Sequence, residues 1–154
     1  MNLRTFIVAY VPTALVAGVL GVVAMELVMW LLTRKGALRA NMVVALGSLI
    51  TRSRENAFLV GGIFHLLSGM IFALLYAWAM WKFGFTHLRS SLTAGVVFGT
   101  LQGMIVSLML VWVVSERHPL EEFKEADLVI GVIHIAGHVA FGAMVGLVIG
   151  LSPL

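Results

Sequence analysis

Three histidines and one glutamate stand inside long apolar stretches of this 154-residue chain: Glu26, His65, His134 and His138. Three imidazoles and a carboxylate form a suitable donor set for Zn, Fe, Mn or Cu, and His134 with His138, one helical turn apart, offers two nitrogens from one face. A haem reading uses fewer of them. His65 and His138 would be axial ligands on opposite helices, glycines would leave room for the macrocycle, and Glu26 and His134 would stand behind. The same groups also suit a proton relay, or hydrogen bonds between helices with no ligand at all. His87 and His118 fall in connections and read as surface residues. Met25 and Met29 share a face, but at helical spacing in an apolar bundle they read as packing. The chain has no phosphate loop, nucleophile elbow or zinc-protease motif, so no catalytic residue is singled out.

The elements that hold these groups follow from composition. Hydrophobic residues make up 61% of the chain and charged residues 11%, against about 45–50% and about 25% in soluble domains. A water-soluble enzyme is excluded. There is no cysteine, which removes disulfides, cysteine-ligated iron–sulfur clusters, thiolate metal sites and covalently attached c-type haem; the haem expected in the haem reading is haem b. The formal net charge of +3 comes from basic residues at the ends of apolar runs, where they face lipid headgroups rather than nucleic acid.

Four runs are long enough to span a bilayer: Phe6 to Leu32, Phe58 to Trp81, Ser91 to Val114, and Leu128 to about Leu151. The expected fold is an all-α integral membrane four-helix bundle, a single membrane domain over 1–154, built as two tandem helical hairpins. Trp30, Tyr76, Trp78, Trp81 and Trp112 read as interface anchors. Arg34, Lys35, Arg39, Arg52, Arg54, Arg117 and Lys124 lie on one side, and Arg4, Lys82 and Arg89 on the other. That asymmetry puts the two longer connections in the cytoplasm and both termini outside a prokaryotic inner membrane. Asn41 to Ile50 reads as a capped interfacial helix, and Pro119 to Ala126 as a second short helix start. The acidic residues Glu116, Glu121, Glu122, Glu125 and Asp127 read as a solvated turn.

Short matches relate the halves: Ala17-Gly18-Val19 with Ala94-Gly95-Val96, and His65-x-x-x-Gly69 with His138-x-x-x-Gly142. They suggest hairpins related by a two-fold axis along the membrane normal. Small residues recur every fourth position, as Gly95, Gly99, Gly103 and Ser107, then Gly142, Gly146 and Gly150, then Gly61, Gly69, Ala73 and Ala77. In lipid such ridges mark helix contacts, within the chain or with partner helices. The buried polar residues continue these ridges. Measured from the cytoplasmic end of its span, Glu26 lies about 9 Å deep, His65 about 10 Å, His134 about 9 Å and His138 about 15 Å. Gln102 lies nearer mid-membrane, with Ser107 closer to the shared layer.

Asn41-Met42-Val43 with Leu46-Gly47, His65-x-x-x-Gly69-x-x-Phe72, and His138-x-x-Phe141-Gly142 carry a further signal. On these residues the chain resembles a family of small four-span membrane proteins of bacteria and archaea. The resemblance implies the fold and a role for the two His-containing helices; it implies no reaction, and His134 lies outside the matched part. The expectation is a membrane protein that binds a transition metal or haem through Glu26, His65, His134 and His138, within a larger redox or metal-handling assembly. The alternatives are a non-catalytic accessory subunit whose glycine ridges dock on membrane protein partners, and a homo-oligomeric proton or ion pathway.

Overall fold

The structure is a computed structural model that describes residues 4, 6–34, 41–124 and 128–152. Lys35, Arg39, Glu125, Ala126 and Asp127, which entered the reading of charge and of the second connection, lie outside them. A π-helical turn, Phe6–Tyr10, leads into α1 (Val11–Thr33). Pro12 sits in the first turn of α1, where a missing N–H leaves no hydrogen bond unmade. Helix α2 (Met42–Thr51) starts at Asn41, whose Oδ1 accepts the Val44 N–H at 3.1 Å. This is the cap expected from the sequence. Arg52 and Asn56, with φ of 56° and 58°, turn the chain back into α3 (Ala57–Lys82).

Gly84, at φ 73°, occupies the left-handed region that a side chain would strain, and turns the chain toward α4 (Leu88–Met109). That helix runs on through a π-helical segment, Leu110–Val114, and a last α turn, Ser115–Arg117. A single 3-10 turn, Glu121–Phe123, precedes α5 (Leu128–Leu151). Among the described residues, four helices are long and apolar enough to cross a membrane: Ile7–Thr33, Ala57–Lys82, Leu88–Arg117 and Leu128–Leu151. The third is longer than hydropathy suggests because Arg89, Glu116 and Arg117 end the apolar run before they end the helix. Large apolar side chains such as Leu20, Val23, Leu59, Ile63, Ile105 and Val132 point outward. Lipid suits such a surface; water does not.

Small residues fill the inside. A Cβ on Gly95 would strike the Gly142 carbonyl, and one on Gly99 the carbonyl of His138, so α4 and α5 meet backbone to backbone. Gly21 lies under the Phe141 ring and Gly137 under Met25 and Met29, which brings α1 onto α5. Gly18 lies against the backbone of Met70 and Gly69 against Val22, which brings α1 onto α3. Gly47 and Gly61 let α2 lie directly on α3. These glycine ridges are therefore filled within the chain, and are not the surface on which a partner helix would dock.

The helices follow one another in space as α3, α1, α5, α4, and α3 barely touches α4. Both hairpins, α1 with α3 and α4 with α5, are present. A strict two-fold is not, because it would make the α1–α5 and α3–α4 contacts alike. Glycines close the first pair, whereas His65, Phe72 and Tyr76 of α3 face Gln102, Val106 and Met109 of α4 and hold the second apart.

Candidate functional site

Close packing of α1 on α3 through Gly18 and Gly69 brings Glu26 to His65. Glu26 Oε1 lies 3.1 Å from His65 Nε2. Both atoms are shut off from solvent, and the two touch without the alignment of a full hydrogen bond. The Glu26 side chain as a whole is 41% exposed, so its open side faces away from His65. It faces a vestibule of about 580 Å³ at the end of the bundle that carries the longer connections. Arg54 and Glu122 line that vestibule and form an ion pair that ties the first connection to the second.

On α5, both buried histidines have one ring nitrogen engaged. His134 Nδ1 lies 3.2 Å from the Ile130 carbonyl, and His138 Nδ1 lies 3.0 Å from the His134 carbonyl. A carbonyl only accepts, so each Nδ1 carries the proton and each Nε2 keeps a free lone pair. The two rings stand 6.3 Å apart. Both residues, with His65, line a cleft of about 330 Å³ between α3 and α4. Val22, Met25 and Phe141 form its floor, and Met42, Ala45, Leu46 and Leu49 of α2 and its surroundings close the end nearest the connections. Met109 and Leu110, where α4 changes to π-helical winding, also line it. Such local rewinding is common at functional sites.

At the far end the cleft is closed by a group that sequence reading missed. The Tyr76 hydroxyl donates to Gln102 Oε1 at 2.6 Å, and the Tyr76 ring meets Phe98 edge-on at 5.2 Å. Tyr76 is only 7% exposed, so it is a bridge between helices rather than the interface anchor expected from its place near a span end. A polar residue on each of the two neighbouring spans was the available signal. Ser107 takes a structural part, donating to the Gly131 carbonyl at 2.8 Å.

His118 also departs from expectation. It is 2% exposed, its Nε2 lies 3.0 Å from the Ala45 carbonyl, its Nδ1 accepts the Leu120 N–H at 3.1 Å, and Phe123 packs edge-on against it. It pins the second connection to α2, because α2 lies flat on α3 and creates an interior where the sequence shows only a loop. His87 is exposed, as expected.

The four residues chosen from sequence are thus neighbours: His134 lies within electrostatic range of His138, His65 and Glu26. Their contacts are unequal. Glu26 and His65 touch, His134 and His138 stand side by side, and among the described residues no three His, Asp or Glu side chains converge as a metal-holding group. What the arrangement can do is pass a proton from a carboxylate to imidazoles, or offer imidazole lone pairs to something in the cleft.

No curated protein and no solved structure matches the chain. The profile of a family of unknown function, DUF6789, matches residues 8–152 and so covers the fold, the vestibule and the cleft together. The chain belongs to that family.

Proposed function

We propose that the chain exchanges protons between the aqueous end of the bundle and the cleft inside the membrane. The contact between Glu26 and His65 carries this reading. Glu26 lines the vestibule and not the cleft; His65 lines the cleft and not the vestibule. Their 3.1 Å contact is the joint between the two spaces. A carboxylate alone at this depth costs roughly 2.5–3.5 kcal/mol on insertion scales, which an imidazole partner offsets. The Tyr76–Gln102 bridge closes the far end, so the relay leads into the cleft rather than through the bundle. The basic residues of the longer connections support placing the vestibule on the cytoplasmic side of a prokaryotic inner membrane, with both termini outside.

Exchange of imidazole ring protons with water, followed by NMR in lipid, tests the relay. Glu26→Gln keeps the shape and removes the proton carrier, so exchange at His134 and His138 should slow by at least about tenfold. Equal rates in the variant would discard the relay.

One observation favours a second reading, a transition metal or haem b in the cleft. Metal-binding histidines generally donate the other ring N–H to a carbonyl or carboxylate, as His134 and His138 do. Elemental analysis and the visible spectrum of protein purified from its own membrane test it. A stoichiometric metal or a Soret band that disappears in His138→Ala supports it, and a metal-free, colourless protein removes it.

A further inference from the structure

We infer that the cleft between α3 and α4 receives a bilayer-soluble hydroxyaromatic molecule, of the phenol or hydroquinone class, which enters sideways from the lipid. Resting on the reading of the cleft as the end of the relay, this names the molecule the relay would serve. Access is the first ground. Helices α1 and α5 form the floor, α2 covers one end, and Tyr76 with Gln102 closes the other. The remaining side is the gap between α3 and α4, edged by Ser68 and Phe72 of α3 and by Val106 and the outward-facing Met109 of α4. An opening of that kind faces hydrocarbon, so the occupant must be soluble there.

Size is the second ground. A volume of about 330 Å³ stands at the low end of ligand pockets, roughly 300–1,000 Å³, which suits one compact ring system. Phe72, Phe141, Met25 and Met109 offer ring faces, ring edges and thioether sulfurs, the contacts that aromatic rings make best.

The third ground is the polar pattern. His134 and His138 each present an Nε2 acceptor, since each Nδ1 is held by a carbonyl. Gln102 presents its amide N–H donors, since its Oε1 is held by the Tyr76 hydroxyl. The other polar lining groups are engaged, the Ser68 hydroxyl donating to the His65 carbonyl and His65 Nε2 facing Glu26, so two acceptors and a donor match a ring that carries an O–H and an oxygen that accepts. A charged ligand has no free counter-charge there: Glu26 Oε1 sits behind His65, and the rim pair Arg54–Glu122 opens on the vestibule instead. Binding alone is proposed, with no electron transfer.

The probe is 2-naphthol, whose fluorescence reports its surroundings, titrated against the protein in nanodiscs with empty nanodiscs as reference. Saturable binding, one molecule per chain, is expected. Its methyl ether has the same ring without the O–H donor and should bind about tenfold more weakly, the effect of one lost hydrogen bond. Val106→Trp, which fills the mouth from α4, should abolish binding, and His87→Ala, in the exposed connection away from the cleft, should leave it unchanged. Equal binding of the ether, retention in Val106→Trp, loss in His87→Ala, or no binding above empty nanodiscs would each overturn the inference. Intact naphthol binding with unchanged imidazole exchange in Glu26→Gln would instead discard the relay alone.

Discussion

At the scale of single residues, the contrast between His118 and His87 is the most direct test of the structure. Both sit in connections, yet His118 holds two backbone groups and a phenyl ring while His87 faces outward. His118→Ala should cost about 1–3 kcal/mol, the penalty of leaving buried backbone groups without a partner, and His87→Ala should leave the thermal unfolding midpoint where it was. Tyr76→Phe keeps the ring contacts and removes the bond to Gln102; its cost, read by the same melts, should be about 0.5–1.5 kcal/mol. That Glu26, His65, His134 and His138 are neighbours was legible at this scale. Glu26, His65, His134 and His138 stood out because ionisable groups are rare inside apolar spans and all four lie on small-residue faces. His118 and Tyr76 did not stand out, because burial of a loop histidine or a span-end tyrosine depends on which helix lies across it, and no local pattern records that.

At the scale of elements, the glycines decide which helices meet. Gly99 faces the His138 carbonyl so closely that any side chain forces α4 away from α5. Gly99→Ala should therefore destabilise by about 1–3 kcal/mol, as overpacking does. Gly62→Ala, whose new methyl would meet only a Val43 methyl at 3.9 Å, should be nearly neutral. Unfolding in a graded mixture of mild and harsh detergent separates the two. The ridges themselves were readable from four-residue spacing, and so were the four spans and the Asn41 cap. Which ridge meets which was not. The matching motifs around His65 and His138 suggest equal hairpins, but the bulk of Phe72, Tyr76 and Met109 between α3 and α4 gives the second contact a different outcome from the first.

At the scale of the whole molecule, the proposed orientation rests on the charge of the connections, and the lack of cysteine makes it easy to test. Ser53→Cys and Thr86→Cys lie in connections at opposite ends of the bundle. In intact cells a membrane-impermeant maleimide should label the second and not the first. Labelling of Ser53→Cys alone would invert the bundle and put the vestibule on the outer face.

The gap between α3 and α4 has a mechanical consequence. Elsewhere in the bundle helices rest on one another's backbones or on side chains seated against glycines, so their spacing is set by contact. Across this gap, the Tyr76 bond and ring contact are the described links at one end, and along the rest the side chains of α3 and α4 stand apart over the cleft. Among the described residues, the gap is therefore the seam along which the bundle can widen with the fewest helix contacts to break.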